Sequence, residues 1–600
     1  MNNMKRLWNL MRGERHLYML AIISVAVAAL MNFIWPLVLR VTVDNIIGSE
    51  VMKGKTWIDP LLQNIFAGLG GREHLMKNLW ICALILILLS MLRGSAQFLK
   101  GKWSASASQN IARNLRNRLY DHIQRLPYKY HQKVETGDLI QRSTSDIETV
   151  RRMLAVQLVE IGRTLFMFVF AMSFMLPMSL ELTLYSLIMM PFIMAFSFFF
   201  YRKIRDVFKE VEKSESKMHS VIQENVTGVR VVRAFAAQNY EIDKFEERNR
   251  DYTQNLYTMM KKLAMFWSFS DLLCGMQMVL VIGLATWQAA TGKITLGTMM
   301  AFSSYIGMLI WPFRSLGRIL VDIGKSTVSI GRIDEILHEQ KEELGDIEGE
   351  PMKGEIEFDN VWFGYEQDKP VLKGVSLQIA AGETVAFLGA TGSGKSSLVH
   401  LLPRLYEYDK GSIKIDGREL SHLDKHYIRQ NIGIVLQEPF LFSRSIEDNI
   451  SVTESDCQLE SIVNVAQQAA VHEVINEFDK GYQTLVGERG VTLSGGQKQR
   501  IAMARTLMQE SPILIFDDSL SAVDTETDRK IRQRLLKRRN KVTTIIISHR
   551  LTTISEADRI FVLEDGRISQ TGKHADLIAQ DGIYQRIWQI QSSFEERGTA

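Results

Sequence analysis

Six long apolar runs in the first half of the chain limit its possible folds more than any other feature of the sequence. The runs occupy residues 17–39, 79–98, 156–176, 182–201, 263–290 and 296–311. A helix needs about 20 mainly apolar residues to cross a bilayer. The first run continues past a small-residue site at 26–28 that resembles a signal-peptide cleavage site, so we expect it to be retained. The sequence therefore predicts an all-α membrane domain with six transmembrane helices.

Lysine and arginine are distributed unevenly among the connections between these runs. Eleven basic residues lie between positions 100 and 152, thirteen lie between positions 202 and 262, and the short connections after the third and fifth runs hold only Lys293. Because cytoplasmic connections carry the excess of positive charge, we expect both basic connections and both termini to be cytoplasmic. Apolar residues recur at helical spacing in these connections, which favours helical extensions of the spans over solvated charged loops.

Ionisable residues are expected inside the spans at Glu160, Arg163 and Asp271. Such residues usually face a partner or a cavity. Glu160 and Arg163 are three residues apart on one helix face, so they pair with each other or contact a substrate. Pro191 and Pro312 lie within or at the edge of spans, where each removes a backbone donor and is expected to kink its helix.

The chain changes character after residue 332, where a charged helix and a linker rich in Gly, Pro and Glu precede strand-like runs. We expect a membrane domain at 1–325, a linker at 326–352, an α/β domain at 353–592 and a tail at 593–600. Cys82, Cys274 and Cys457 fit no disulfide framework or metal spacing. A net charge of +4 is small for 600 residues and does not favour nucleic acid as a partner.

The stretch GATGSGKS at 389–396 fits the phosphate-binding pattern G-x-x-x-x-G-K-S. It follows the apolar strand TVAFL and precedes the helix-like SLVHLL, which is the context that the motif requires. Its glycines let backbone N–H groups surround phosphates, and a helix N-terminus adds its dipole. Lys395 is expected to contact the outer phosphates and Ser396 to bind Mg²⁺. The predicted nucleotide-binding residues of this motif are Gly389, Thr391, Gly392, Ser393, Gly394, Lys395, Ser396 and Ser397.

Two further motifs follow in the same domain. The stretch ILIFDDSLSAVD at 513–524 predicts a buried strand that ends in Asp517, whose carboxylate is expected to bind Mg²⁺. Before it, LSGGQ at 493–497 precedes KQRIAMARTL, and its glycines open a predicted helix with an anion-facing N-terminus. The candidate nucleotide-binding residues of this motif are Ser494, Gly495, Gly496 and Gln497.

In this order, the six spans and the three motifs make the whole chain resemble a half-transporter of the ABC exporter family. The resemblance implies a six-helix transmembrane domain followed by an α/β P-loop ATPase domain that uses ATP and Mg²⁺. It also implies that two nucleotide domains enclose two ATP molecules, so that the LSGGQ motif of one chain meets the phosphates held by the other.

The resemblance assigns roles to other residues. Tyr365 in VWFGY matches the aromatic residue that stacks on adenine, although alone it would equally be a half-buried strand aromatic. Gln437 in VLQEP matches the residue that links Mg²⁺ and the attacking water to the membrane domain. His549 in IIISHR matches the switch histidine near the γ-phosphate, although alone it would equally be an ordinary loop histidine. Further segments that resemble family elements are TLVGERG at 484–490 before the signature, SAVD at 521–524 as the D-loop, and the cytoplasmic-loop sequences at 134–147 and 224–235.

The chain departs from the family pattern at Asp518, where most members have a glutamate that acts as general base or positions the attacking water. Aspartate keeps the charge but is one methylene shorter, so its carboxylate is drawn back by about 1 Å, and such a misplacement can cost on the order of 10²-fold in rate. We therefore predict binding without fast hydrolysis at this chain's own site. The catalytic candidates are Asp518, His549 and Gln437, and the Mg²⁺ candidates are Ser396, Gln437 and Asp517.

Two weakened sites make little sense for a homodimeric pump. We therefore expect a heterodimer whose second half-transporter keeps the glutamate and has an altered signature; a homodimer that tolerates Asp518 is the alternative. The spans are rich in Met and Phe, which suits a malleable cavity as well as ordinary lipid-facing surface. The expected activity is export of amphipathic drugs, lipids or peptides through a bacterial plasma membrane. The competing functions are a lipid flippase, a nucleotide-gated channel or sensor, and a soluble ABC ATPase, against which the six spans argue.

Overall fold

The structure is a computed structural model that describes residues 8, 11–48, 56–345, 349–366, 368–454, 457–487, 490, 493–519, 524–536 and 542–598. The chain divides into two compact units. A helical unit contains residues 1–125 and 134–340, and an α/β unit contains residues 341–600 together with the short segment 126–133. Each unit is described by itself.

Six helical segments of the described chain are long and apolar enough to cross a membrane. They are Arg15–Ile47, Trp80–Gln124, Thr136–Met178, Leu180–Thr227, Gln238–Ala290 and Leu296–His338. Each overlaps one of the six apolar runs. The prediction of an all-α domain with six transmembrane helices is therefore confirmed.

Some of these helices extend far beyond their apolar runs. The helices before the first strand are α1 Arg15–Val41, α2 Asp59–Gly68, α3 Gly71–Lys77, α4 Trp80–Gln124, α5 Tyr128–Lys133, α6 Thr136–Gln141, α7 Ile147–Arg152, α8 Leu158–Met178, α9 Leu180–Ile188, α10 Met190–Thr227, α11 Val229–Ala234, α12 Gln238–Ala290 and α13 Leu296–His338. Helices α4, α12 and α13 have 45, 53 and 43 residues. At 1.5 Å per residue, each is roughly twice as long as a bilayer core is thick. The polar connections therefore continue the spans as helices.

An aromatic cluster joins α1, α8 and α13 in the core of the helical unit. The ring centroid of Phe33 lies 6.2 Å from that of Phe174 and 5.2 Å from that of Tyr305. The buried Tyr305 hydroxyl donates a hydrogen bond of 3.1 Å to the backbone carbonyl of Phe33. The buried phenol therefore has the polar partner that it needs, and the rings supply apolar contact around it.

The ionisable span residues predicted from sequence have partners inside the helical unit. Arg163 lies 3.1 Å from Glu160, as their spacing on one helix predicts. Asp271 of α12 lies 2.6 Å from Arg314 of α13, whose guanidinium also covers the Trp267 ring at 4.1 Å. These three predicted residues therefore take part in ion pairs.

The two span prolines occupy different positions. Pro191 lies in the first turn of α10, immediately after the break at Met189 between α9 and α10. A missing backbone donor is tolerated in a first helical turn. Pro312 lies inside α13, where it removes an internal helical donor. Of these two prolines, Pro312 is therefore the one that interrupts a ladder of helical hydrogen bonds, as Pro36 of α1 and Pro177 of α8 also do.

A buried ion pair gives a prediction about stability. Arg40 of α1 lies 2.6 Å from Asp59 at the start of α2, and the Asp59 side chain is 0% exposed. Removing one partner of a buried pair leaves the other charge uncompensated and costs about 3–5 kcal/mol. We expect Asp59→Ala to lower the midpoint of thermal unfolding of the detergent-solubilised protein clearly. Asp121→Ala breaks an exposed pair with Arg125, 2.9 Å apart, and serves as the matched control, with little change expected. Equal shifts in the two variants would contradict the prediction.

The α/β unit alternates strands and helices around two sheets. Its strands are β1 Ile356–Phe363, β2 Leu372–Ile379, β3 Thr384–Leu388, β4 Lys410–Ile415, β5 Arg418–Glu419, β6 Ile432–Val435, β7 Ile513–Asp517, β8 Thr543–Ile547, β9 Arg559–Glu564 and β10 Arg567–Gly572. Its helices after β3 are α14 Lys395–Leu401, α15 Lys425–Asn431, α16 Ile446–Ile450, α17 Leu459–Gln468, α18 His472–Asn476, α19 Gly495–Met508, α20 Thr525–Leu536, α21 Leu551–Ile554, α22 His574–Ala579 and α23 Ile583–Gly598. The fold class predicted for this half is confirmed.

The larger sheet positions the candidate site. Its strand order is β10-β9-β3-β8-β7-β6, and every neighbouring pair from β9 to β6 is parallel. All five residues of β7 are buried, as expected for a parallel strand covered on both faces. Ligands of such sheets bind beyond the carboxyl ends of the strands. The segments that follow β3, β6, β7 and β8 therefore lie along one edge, and they carry the predicted phosphate loop, Gln437, Asp518 and His549.

Candidate functional site

The loop between β3 and α14 approaches its neighbours too closely for side chains at two positions. A Cβ atom on Gly389 would lie 2.3 Å from the carbonyl oxygen of Leu563. Gly394 has φ +103°, and a Cβ atom there would lie 2.8 Å from a Leu372 methyl group. Glycine is the residue that tolerates both conditions. The predicted glycines therefore shape a tight loop that leads into the N-terminus of α14, where anions are favoured.

The side chain of Lys395 is folded into this loop. It is 6% exposed, and its Nζ donates hydrogen bonds of 2.9 Å to the carbonyls of Gly389 and Ala390. Burial lowers the pKa of the Lys395 ammonium, against the opposing effect of the Asp517 and Asp518 carboxylates. The Lys395 ammonium beside the backbone amides of this loop fits a phosphate group. A phosphate would supply the negative charge that the neutral carbonyls of Gly389 and Ala390 do not.

The end of β7 places a carboxylate beside the start of α14. Asp517 is 3% exposed, and its Oδ1 accepts a hydrogen bond of 2.9 Å from the Ser396 hydroxyl. Carboxylate and hydroxyl oxygens are the hard ligands that Mg²⁺ prefers. These two side chains come from motifs 121 residues apart in sequence. They therefore fit the Mg²⁺ that the sequence predicts between them.

A histidine that the sequence analysis did not identify also faces Asp517. His400 Nε2 lies 3.6 Å from Asp517 Oδ2, and burial lowers the pKa of this imidazole, with Asp517 opposing the shift. The signal was present in the sequence, because His400 follows Ser396 by four residues on the same helix. The partly buried imidazole therefore lies beside the carboxylate without a hydrogen bond from its Nε2 to any described residue.

Asp518 follows the end of β7 in an uncommon backbone conformation. Its φ is +46°, and its backbone N–H donates a hydrogen bond of 3.0 Å to Ile547 at the end of β8. Burial raises the pKa of the Asp518 carboxyl; His549 opposes this shift, and Asp517 adds to it. His549 is exposed, and its carbonyl accepts a hydrogen bond of 2.9 Å from Gln591. The parallel strands β7 and β8 therefore bring Asp518 and His549 to the same edge.

An aromatic cluster adjoins the phosphate loop. The Tyr365 hydroxyl lies within hydrogen-bonding distance, 2.9 Å, of the Ser397 hydroxyl on α14, and the Tyr365 residue is 41% exposed. Its ring packs edge-on against Tyr406, with centroids 5.1 Å apart. The Tyr406 ring also meets Tyr128 of α5 edge-on at 5.5 Å. The segment 126–133 is therefore packed beside the residue that is expected to face the adenine.

Gln437 lies just beyond β6, the neighbour of β7, and its side chain is exposed. Its backbone carbonyl accepts a hydrogen bond of 3.4 Å from Gln499 of α19. The residue is therefore on the same sheet edge as Asp517, with its amide facing solvent.

The LSGGQ motif forms the beginning of helix α19. Ser494 caps the helix, since its hydroxyl accepts a hydrogen bond of 3.3 Å from the backbone N–H of Gln497. The side-chain oxygen of Gln497 in turn accepts a hydrogen bond of 2.9 Å from the backbone N–H of Ser494. Gly495 is exposed, and a Cβ atom there would meet nothing within 4 Å. The positive end of a 14-residue helix therefore points to open space.

The structure brings together some of the predicted site residues but not all of them. Gly389, Lys395, Ser396, Asp517 and Asp518 converge on one edge, and Tyr365 contacts Ser397 beside them. Among the described residues, no hydrogen bond joins 494–497 to 389–396. Residues 488, 489 and 521–523 of the predicted pre-signature and D-loop segments lie outside the described residues. Asp524, which ends the D-loop stretch, accepts a hydrogen bond of 2.9 Å from the Thr527 N–H.

Comparison with protein families gives two matches along the chain. The model of the ABC transporter transmembrane region matches residues 18–313. The model described as ABC transporter matches residues 372–521. The second match includes the phosphate loop, the LSGGQ motif and Asp517.

Individual proteins match over almost the whole chain. The putative multidrug export ATP-binding/permease protein YgaD of Bacillus subtilis (strain 168) is 32% identical over 562 residues, which are 93% of this chain and 94% of that protein. The uncharacterized ABC transporter ATP-binding protein YknU of the same organism is 30% identical over 596 residues, 98% of each chain. The solved structure of a bacterial Atm1-family ABC exporter with ATP bound has a TM-score of 0.78 and 26% identity, covering 97% of this chain and 99% of that chain.

Proposed function

Because this chain belongs to the ABC transporter family, we propose that it is one half of a heterodimeric exporter of amphipathic compounds. The family relation makes it a multi-pass membrane protein whose ATPase domain binds ATP and couples hydrolysis to transport. The proposal adds that this chain's own nucleotide site is the slower one of the pair. The observation that carries it is an aspartate at position 518, beside the assembled Lys395, Ser396 and Asp517.

Each group at the sheet edge has a proposed role. The loop at 389–394 and Lys395 hold the phosphates of ATP. Ser396 and Asp517 would hold Mg²⁺, and Gln437, just beyond the neighbouring strand β6, would be a further ligand. When bound, Mg²⁺ would neutralise charge that develops on the phosphates. His549 contributes a donor at the outer phosphate.

Asp518 is placed to act on the attacking water but has a short side chain. Its raised pKa means that the carboxylate accepts a proton more readily than an ordinary aspartate does. We attribute slow hydrolysis at this site to the position of the Asp518 carboxylate, which is withdrawn by about 1 Å from the position that a glutamate reaches. Catalysis depends steeply on the position of the reacting groups.

The intact signature explains why such a chain would be kept in a working transporter. The LSGGQ motif of this chain is intact, and it forms an exposed N-terminus of α19 that Ser494 caps and where Gly495 is open to solvent. In the arrangement that the family resemblance implies, it closes the site of the second chain. We therefore expect that the second chain carries the glutamate and an altered signature. The intact signature of this chain would then meet the glutamate-bearing nucleotide site of the second chain.

The relatives and the basic connections support the proposed cargo and membrane. One relative is named for multidrug export, and the apolar Met- and Phe-containing spans of this chain suit amphipathic drugs, lipids or peptides. We place the protein in a bacterial plasma membrane with both termini in the cytoplasm, because its basic connections are the cytoplasmic ones.

The proposal is tested by purifying the chain alone and together with the product of the adjacent gene. We expect slow ATP turnover by the chain alone and fast turnover by the pair. Replacing the second chain's glutamate by glutamine should abolish turnover by the pair. ATP-dependent accumulation of fluorescent amphipathic dyes in inverted vesicles should accompany the fast turnover. Brisk turnover by the lone chain that is lost in Asp518→Asn would sink the heterodimer, and dye movement only down its gradient would indicate a gated channel.

A further inference from the structure

A cavity in the helical unit is lined by more positive than negative charge. It has a volume of about 280 Å³ and lies where α1, α4 and α8 meet. Three basic side chains line it, namely Arg93 and Lys100 of α4 and Arg163 of α8. Arg93 and Lys100 are seven residues apart, two helical turns, and therefore project from one face of α4. The predicted list of ionisable span residues included Arg163 but left out Arg93.

The ion pairs at this cavity include one carboxylate. Glu160 lies 3.1 Å from Arg163 and 4.0 Å from Lys100. Arg93 instead donates a hydrogen bond of 2.8 Å to the neutral side-chain oxygen of Asn32 on α1. Among the described residues, therefore, three cations at the cavity share one anion, which leaves an excess of two positive charges.

The position of these charges along the helices makes them expensive. Arg93 lies within the apolar run 79–98, and Arg163 lies within the run 156–176. A charged side chain inside a span is costly and normally faces a cavity or a functional partner. A long basic side chain just beyond the end of an apolar run can instead extend to the lipid head groups. That explanation suits Lys100, but the bond to Asn32 holds the Arg93 guanidinium against a neighbouring helix.

Part of the cavity lining is apolar. It is formed by small side chains of α1, Val25, Ala28 and Ala29, together with Met167 of α8. The cavity is slightly smaller than the range of about 300–1,000 Å³ that holds a whole drug-sized ligand. It therefore fits a compact polar head group with an adjoining apolar chain better than a complete bulky molecule.

We propose that this cavity binds the anionic head group, a phosphate or carboxylate, of an amphipathic substrate whose apolar chain lies along the α1 wall. Two guanidinium groups provide the planar, permanently charged donors that such anions favour. The inference rests on the proposed export of amphipathic compounds and names the charge class of the cargo. Neutral and cationic amphiphiles lack the group that Arg93 and Arg163 would bind.

The test measures equilibrium binding of fluorescently labelled lipids to the purified transporter in neutral detergent, without ATP. The probes are phosphatidylglycerol, phosphatidylcholine with the same chains, and glycerol phosphate as a competitor without chains. We expect phosphatidylglycerol to bind most tightly, and Arg93→Gln and Arg163→Gln each to weaken it by about 10-fold. Glu160→Gln should tighten binding, because it removes the single carboxylate, and a merely unfolded variant would not bind more tightly.

Lys102→Gln is the matched control, since Lys102 is an exposed base on the same helix that does not line the cavity. Equal binding of phosphatidylcholine and phosphatidylglycerol, or equal losses in Lys102→Gln and Arg93→Gln, would overturn the proposal. Competition by glycerol phosphate as strong as by the lipid would indicate a free-anion site and overturn it as well. The lipid assay does not involve ATP, so dye export without selective lipid binding rejects this inference alone. Selective lipid binding without ATP-driven export rejects the proposed function alone.

Discussion

Asp518→Glu is expected to raise ATP turnover by the chain purified alone by about 10²-fold, because it returns a carboxylate to the distance that the attacking water requires. The groups expected to hold the phosphates and Mg²⁺ are already in place at the sheet edge. Ser396 contacts Asp517, and Lys395 lies in the loop. The one methylene group by which glutamate is longer than aspartate is therefore expected to convert a site that binds ATP into one that hydrolyses it quickly. Steady-state phosphate release at saturating ATP measures the change.

The backbone at this position accepts the longer side chain. Asp518 has φ +46°, a conformation that glutamate adopts less readily than aspartate. Glu510 nevertheless has φ +51° in the same unit. The hydrogen bond from the Asp518 N–H to Ile547 involves backbone atoms alone and does not depend on the side chain. We therefore expect Asp518→Glu to fold normally, with at most a small decrease in thermal stability.

Asp518→Asn is the matched control for the gain in rate. It keeps the size of the side chain and removes the charge, so turnover should not rise. If the unmodified chain alone already turns over quickly and Asp518→Glu adds nothing, then the reach of the side chain is not the limiting property. The site would in that case be an ordinary catalytic one in a homodimer.

The parts of this molecule that were predictable from sequence are those set by local pattern. Run lengths near 20 apolar residues locate the spans, because the bilayer fixes that length. The glycine loop between an apolar strand and a helix predicts its own fold, since Gly389 and Gly394 are needed where the backbone approaches its neighbours. Glu160 and Arg163 were predictable as a pair because three residues on a helix place them side by side.

Contacts between distant elements were not predictable in this way. Asp271 pairs with Arg314, 43 residues away on another helix, and the apolar pattern does not determine which faces of two helices meet. The same holds for Arg93 and Arg163, which approach one cavity from different helices. The contact between Tyr128 and Tyr406 was not predictable either. Tyr128 lies on the short helix α5, which belongs to the α/β unit although the residues before and after it in sequence belong to the helical unit.

Gly495→Asp in this chain is expected to reduce ATP turnover by the two-chain transporter by about 10²-fold or more, the size of effect seen when a charge-stabilising donor is lost. The substitution puts a carboxylate at the helix N-terminus that is proposed to face phosphates held by the second chain. A Cβ atom at Gly495 meets no atom of the described residues within 4 Å, so this part of the fold has room for the side chain. An acidic residue in a first helical turn stabilises the helix by about 0.3–1 kcal/mol. Loss of turnover with unchanged or raised thermal stability therefore reports repulsion between the carboxylate and the phosphates.

Two controls separate charge from shape and one nucleotide site from the other. Gly495→Asn has the same shape without the charge, so its loss of turnover should be much smaller. Lys395→Met in the same chain removes the cation of the slow site, so the pair should keep most of its turnover. The two motifs of a single chain are thus expected to respond unequally, because its signature serves the fast site and its phosphate loop serves the slow one. Equal collapse of turnover in Gly495→Asp and Lys395→Met would show that both sites work alike, and the unequal heterodimer would have to be abandoned.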